Sequence, residues 1–324
     1  MSLEPVENIC ERLSTKVDDI APVLEAMADK GVIMHLIKDG NDCYALLPLV
    51  PGIFELQFMK GETSPEKQEL ARLFDAYYHN GWGKASFGHG QAFARVVPVE
   101  RRIPIDYAIQ PFEKVTELII NATSMALTNC YCRHEKELLD KACDAPKDVC
   151  MIFGPFADFA VDRGFGRRAT RDEMLQALGR AEQAGLVHVA DNVERINFIC
   201  NCCGCCCGLL GTITKLNIDT AVAVSPFIAE VDPELCIACG ECVNRCHVSA
   251  IKIDKTENIA KLSEKRRCIG CGLCATACPT AAVVMTPRKK WKEPFRTAKE
   301  MMQSVSEERA AFEKSNLESS SVVN

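Results

Sequence analysis

Apolar and polar residues alternate along the N-terminal part of the chain in a pattern that reads as two helices, Val6 to Leu13 and Val17 to Lys30. Thr15 is placed to cap the second and Gly31 to end it. Ile33 to Ile37 and Cys43 to Leu49 then read as strands around a Lys38-Asp39-Gly40-Asn41-Asp42 turn. Helix, turn, helix, hairpin is the order of a winged helix, so residues 1–60 are expected to form a winged-helix-like unit.

A similar passage recurs further on. Thr170 and Glu173 make a capping box for a helix through Ala184, Gly185 ends it, and strands flank Asp191-Asn192. Ala-Asp-Lys-Gly-Val-Ile at 28–33 echoes Glu-Gln-Ala-Gly-Leu-Val at 182–187, a match short enough to arise by chance. Between them, Ser64-Pro65 starts a helix to Tyr78 that sets Leu70, Leu73, Phe74, Tyr77 and Tyr78 on one face. Gly81, Gly83, Gly88 and Gly90 mark a loop, and Glu113 to about Asn129 reads as a helix leading into a group of cysteines.

Composition changes this picture at one point, the 20 cysteines among 324 residues. Such density means a secreted disulfide scaffold or a metal protein, and secreted scaffolds are short chains with a signal peptide. The start, MSLEPVENIC, lacks a secretory pattern, and no window approaches the ~18 unbroken apolar residues of a membrane span. The cysteines fall in tight clusters, so most are expected to be thiolate ligands in a reducing, cytoplasmic compartment.

Cys236, Cys239, Cys242 and Cys246 have the spacing C-x2-C-x2-C-x3-C, and Cys268, Cys271, Cys274 and Cys278 repeat it. Three closely spaced cysteines hold three corners of a cubane while the fourth ligates the neighbouring cluster. One 4Fe-4S cluster is therefore expected on Cys236, Cys239, Cys242 and Cys278, and a second on Cys268, Cys271, Cys274 and Cys246. Gly240, Gly270 and Gly272 would let the backbone fold closely around a cluster, and Ile237, Ile251, Ile269, Leu273 and Val283 would exclude water. Zinc ribbons also use C-x2-C pairs, but not two complete motifs with cross-ligation spacing.

Residues 231–287 resemble the bacterial two-cluster ferredoxins, VDPELCIACGECVNRCHVSAI matching SEKRRCIGCGLCATACPTAAV as two halves. The second half ends in the family's Cys-Pro, whereas the first has His247 where proline is usual. The resemblance implies a ferredoxin-like module that moves single electrons.

Ten cysteines remain in the middle. Cys130, Cys132, Cys143 and Cys150 form one group, beside Arg133 and His134, and Cys200, Cys202, Cys203, Cys205, Cys206 and Cys207 form another. Four thiolates in the first group would suit one cubane, with Arg133 offsetting its charge. A strand ending near Cys200 would put Cys200 and Cys202 on one face, with neighbours such as Cys202 and Cys203 pointing apart. Eight of the ten, Cys130, Cys132, Cys143, Cys150, Cys200, Cys202, Cys203 and Cys205, would complete two cubanes shared between the groups. A noncubane cluster, structural zinc and a redox-active or inert thiol group are the alternatives. Cys202-Cys203-Gly204 resembles the Cys-Cys-Gly motif of heterodisulfide-reductase-type proteins, but only one copy is present, so that activity is not carried over. The whole chain resembles uncharacterised 4Fe-4S binding proteins of anaerobes with a cysteine-rich middle, which implies no particular reaction. Cys10 and Cys43 stand alone and are expected in the core.

The net charge of −6 says little, but its distribution does. The second helix carries Asp18, Asp19, Glu25 and Asp29 against Lys16 and Lys30, which argues against DNA binding. In the tail, Arg288, Lys289, Lys290, Lys292, Arg296 and Lys299 accompany Trp291, Phe295, Ala298, Met302 and Val305 at helical spacing. A basic amphipathic helix is expected there, able to cover the protein's own core, meet an acidic partner or lie on a membrane surface. Ser319-Ser320-Ser321 looks disordered. No nucleotide-binding glycine pattern occurs, and His35, His79, His89, His134, His188 and His247 do not pair at metal spacing.

The expected fold class is α+β and multidomain. Its parts are a winged-helix-like unit (1–60), a cysteine-rich helical and hairpin middle (61–226), a ferredoxin-like dicluster module (227–287) and a basic helix with a disordered tail (288–324). The expected function is electron transfer through two 4Fe-4S clusters, with at least one more Fe–S cluster (or zinc) in the middle, to or from a partner oxidoreductase. A catalytic oxidoreductase using the middle site and a redox-responsive regulator are the alternatives.

Overall fold

The computed structural model describes residues 3–88, 90–100 and 114–321, and its architecture mixes helix and sheet. Helices Val6–Leu13 and Val17–Asp29 are followed by the hairpin Ile33–Lys38 and Asn41–Leu46. The short strand Glu4–Pro5 adds to this hairpin, so the sheet runs in the order Glu4–Pro5, Asn41–Leu46, Ile33–Lys38, antiparallel throughout. Lys16, not Thr15, is the N-cap residue of the second helix, and it makes no side-chain cap. Gly31 does end it, at φ +68°, where a Cβ would lie 2.6 Å from that of Leu56.

The acidic side chains of that helix have an intramolecular use. Arg163 donates to Glu25 at 2.7 Å and to Asp29 at 2.8 Å, and Tyr44 donates to Glu25 at 2.6 Å. Glu25 is accordingly held below its ordinary value, first by the Arg163 hydrogen bond. The apolar face behind it joins Val6, Leu24, Ile33 and Leu56 to Ile152, Phe159 and Phe165 in one core.

The expected Ser64–Tyr78 helix forms as Pro65–Tyr77, with Ser64 Oγ accepting from Lys67 N–H. Its face is less regular than the spacing suggests: Tyr78 is buried, while Leu73 and Tyr77 are exposed. The helix expected from Glu113, itself outside the described residues, is short: Val115–Ile120, followed by the strand Met125–Thr128. That strand lies in a six-stranded antiparallel sheet ordered Ala94–Val97, Val187–Asp191, Phe198–Cys202, Cys150–Phe153, Met125–Thr128 and Arg167–Arg168. The expected helical and hairpin middle is thus organised around a sheet. The reciprocal Thr170–Glu173 capping box starts the helix Arg171–Gln183, and Gly185 at φ +73° turns the chain into the strand Val187–Asp191.

Residues 227–287 close two ribbons, Phe227–Val231 with Val283–Pro287 and Ile251–Asp254 with Ile259–Leu262. Two short helices, Glu241–Asn244 and Leu273–Ala277, stand in equivalent places of the two halves. Phe227, Ile251, Leu273 and Met285 share a core with Val96, Val187 and Leu210 of the middle region. The tail differs from expectation: residues 288–297 are not helical, and the helix is Ala298–Ser321, extending through the serine run. Trp291 Nε1–H donates to Val224 O at 3.0 Å and Phe295 bridges Val193, while Met301, not Met302, is the buried methionine. Among the described residues, no helix is long and apolar enough to cross a membrane.

Candidate metal centres

The C-terminal cysteines are gathered by tight turns. In each half a cysteine-rich loop runs into a short helix through a glycine in the left-handed region, Gly240 at φ +82° and Gly272 at φ +82°. Two residues earlier the halves differ, Ala238 at φ +54° matching Gly270 at φ +74°. Gly270 has no alternative, because a Cβ there would lie 2.2 Å from Phe227 O. Cys236, Cys239, Cys242 and Cys278 line one hollow with Ala260, Ala282 and Val283. Cys246, Cys268 and Cys271 lie within electrostatic reach of Cys274. Backbone N–H groups reach sulfur in both sets, Ala260 N to Cys236 Sγ at 3.3 Å and Ala250 N to Cys246 Sγ at 3.2 Å. Such donors favour the thiolate and tune a bound cluster. Ile251, Ile269, Leu273 and Val283 are buried as expected, but Ile237 is 63% exposed, and Cys239 beside it is exposed too.

The structure regroups the ten middle cysteines. Cys130 precedes the helix Tyr131–Glu137, which carries Cys132; Cys150 opens the strand Cys150–Phe153; and Cys207 precedes the helix Gly208–Lys215. Strand alternation sends Cys200 and Cys202 to one side. These six cysteines line a single hollow with Tyr131, Arg133 and Cys203, comparable in size to that of the C-terminal set. Cys143 is not with Cys130, Cys132 and Cys150. It lies with Cys203, Cys205 and Cys206, all four sulfurs within 4.8 Å of one another. The ten thiols therefore divide as six and four, with Cys203 of the four standing at the wall between the two sets, and Cys206 and Cys207, outside the eight chosen from sequence, belong to one set each.

Neighbouring thiols in the six-membered ring oppose each other's ionisation. Cys200 is held down to about 6 by the Cys150 and Cys202 thiols, and Cys207 well down by Cys132 and Cys202, while Cys202 between them is pushed far up by the same two neighbours. Five of the six are buried, and all could ionise together only against bound cations, which is the chemistry of a metal site. Arg133 supplies part of the charge. It is fully buried and donates to Asn201 O at 3.0 Å, and its Nε and Nη2 have no hydrogen-bond partner in the protein. Burial works against the guanidinium charge, and the Cys130, Cys150 and Cys203 sulfurs, once ionised, would outweigh it. Orphaned donors lining a hollow fit a bound group with sulfide acceptors.

Two further features had little sequence signal. His247, in the place of the usual proline, accepts from Gly204 N–H at Nδ1 (3.1 Å) and bonds Gly185 O through Nε2 (2.7 Å). It thereby ties the residue after Cys246 to the loop between Cys203 and Cys205. Val99 N–H donates to Cys271 O at 3.1 Å, a second tie between the regions. In addition, a cavity of about 370 Å³ borders the six-thiol ring, walled by Phe54, Phe74, Trp82 and Tyr131 and including buried Glu55. Burial pushes Glu55 up to about 7, against the Gly52 N–H it accepts at 2.7 Å.

Residues 229–285 match the family model of the 4Fe-4S dicluster domain. Together with the clustered cysteines, this supports an iron–sulfur electron-transfer role. No curated protein and no solved structure matches the chain.

Proposed function

We propose that this protein transfers single electrons between a partner oxidoreductase and an iron–sulfur centre held in its middle region. Cys236, Cys239, Cys242 and Cys278 would hold one 4Fe-4S cluster, and Cys246, Cys268, Cys271 and Cys274 a second. Cys130, Cys132, Cys150, Cys200, Cys202 and Cys207 would together hold a polynuclear iron–sulfur centre. When bound, such centres accept and release one electron at a time. The observation that carries the reading is the buried six-thiol ring with the orphaned Arg133 donors lining it.

Residues at the surface and between the regions support such an arrangement. Exposed Leu235, Ile237 and Cys239 offer an apolar rim for a redox partner beside the first set. His247 and Val99 fix the second set against the middle region through the bonds described above. The N-terminal unit, winged-helix-like in its order of elements, serves as a scaffold: Glu25 and Asp29 are engaged with Arg163, which suits protein docking and not phosphate contact. The site of action we propose is the cytoplasm.

Iron and acid-labile sulfide per chain, measured on anaerobically purified protein, test this reading. The expected result is clearly more than about eight irons, the excess of iron and sulfide being lost in a Cys150→Ser, Cys200→Ser variant. About eight irons in the parent, unchanged in the variant, would confine iron to the C-terminal module and overturn it.

The cavity favours a second reading, a catalytic oxidoreductase reducing or oxidising a small apolar molecule next to Cys132, Cys150, Cys200, Cys202 and Cys207. That reading expects an iron with an exchangeable position. Carbon monoxide or cyanide would then change the paramagnetic resonance spectrum of the middle centre, and unaltered spectra would dismiss it.

A further inference from the structure

We infer that Cys143, Cys203, Cys205 and Cys206 bind a single divalent thiophilic cation, Zn²⁺, as a closed tetrathiolate separate from the iron–sulfur chemistry. The spacing of the sulfurs carries the argument. Cys143 Sγ lies 3.7 Å from Cys203 Sγ and 3.8 Å from Cys206 Sγ, and Cys205 Sγ lies 3.7 Å from Cys206 Sγ. Four thiolates at about 2.3 Å from one ion, tetrahedrally arranged, stand about 3.8 Å apart along each edge. A cubane places its thiolates on four different irons and spreads them further, on the order of 6 Å. Among the described residues no other group of metal-binding side chains closes as tightly, including both C-terminal cysteine sets.

The backbone around the four thiols is built for closure. Cys203, Cys205 and Cys206 lie on one turn, which Cys207 N–H closes onto Cys203 O at 3.3 Å. Gly204 is forced within this turn, since a Cβ would meet His247 O at 2.6 Å. Cys143 arrives from a loop 60 residues earlier, so the ion would staple that loop to the turn. Closing so long a loop costs the chain entropy that the metal–thiolate bonds offset. Four thiolates against a divalent ion leave excess negative charge, and Arg133 Nη1, 3.9 Å from Cys203 Sγ, stands beside it. All four positions are protein sulfur, the arrangement of a structural site with no place for substrate.

The test is metal and sulfide content of the full chain in a Cys143→Ser, Cys206→Ser variant. The expected result is loss of about one zinc per chain with iron and acid-labile sulfide unchanged. Loss of sulfide together with metal would show a cluster and overturn the inference, as would unchanged zinc. Should the variant fail to fold, protein produced in cobalt-supplemented medium decides the matter. Uptake of about one cobalt in place of zinc, with the absorption of a tetrahedral thiolate complex, supports the site, and absence of that spectrum refutes it. Neither readout depends on whether the six-thiol ring holds iron, so this inference and the electron-transfer reading fail separately.

Discussion

Gly270 and Ala238 occupy equivalent places in the two halves of the C-terminal module, yet only one tolerates a side chain. At Gly270 a methyl would strike Phe227 O and Ser225 Oγ, each 2.2 Å away, whereas around Gly240 nothing lies within 4 Å. Gly270→Ala is expected to lose about four irons per chain, while Gly240→Ala keeps them and costs about 1 kcal/mol of left-handed strain; iron analysis and thermal unfolding of the pair would show the difference. Glu55 makes a different prediction. Its folded pKa, about 7, lies above its ordinary 4.5, so between those values the folded state holds a proton the unfolded state has released. Stability therefore falls as pH rises through that window, by up to about 3 kcal/mol. Glu55→Gln keeps an acceptor for Gly52 N–H and removes the slope. The melting temperature of the variant should exceed the parent's by a margin that widens from pH 5 to pH 7.5. At this scale the sequence was informative where ligands are neighbours along the chain, as in the two C-x2-C-x2-C runs. It misplaced Cys143, grouped with Cys130, Cys132 and Cys150 although its companions come from a turn far off in sequence, and it was silent on Glu55, whose raised pKa comes from burial.

Strand alternation sorts the middle cysteines. Because Phe198–Cys202 is a strand, Cys200 and Cys202 reach the six-thiol ring together, while Cys203, just past its end, joins the other set from the wall between the two. That much was legible from spacing. The sheet itself was not, since its short strands, Ala94–Val97, Met125–Thr128 and Cys150–Phe153, find partners only through long-range pairing. The same limit explains the tail, where basic residues at helical spacing lie in an irregular segment pinned by Trp291 and Phe295 before the helix begins. His247 shows an element-scale effect of a single departure from the ferredoxin pattern. Replacing it with proline removes one hydrogen bond to Gly204 in the 203–207 turn and one to Gly185 O, and is expected to cost about 1–3 kcal/mol. Iron in the module should be unchanged, with electron arrival at the middle centre slowed in rapid-mixing experiments; unaltered kinetics would mean that the imidazole only fills space.

The parts named from sequence are joined by continuous cores. The N-terminal unit shares one with the middle sheet, and the C-terminal module shares another, so the cysteine sets are held in fixed relation. With the sets so placed, the redox partner proposed above would be chosen at the surface. Ile237, 63% exposed beside Cys239, is the side chain that would contact such a partner. Ile237→Asp should leave iron and sulfide intact and slow reduction by a protein donor, but not by dithionite. Equal slowing with both reductants would point to a damaged cluster and not to a lost contact.

Burial also sets an order of decay. Of the 20 cysteines only Cys239 and Cys205 are exposed, one in the first C-terminal set and one in the tetrathiolate. These two thiols are the most open to air, whereas five of the six ring thiols are buried. During slow oxidation, colour should fade in stages, beginning with the set that contains Cys239. The deeply held centre should outlast it, so that a partly bleached sample would retain its interior chemistry after losing its connection to the outside.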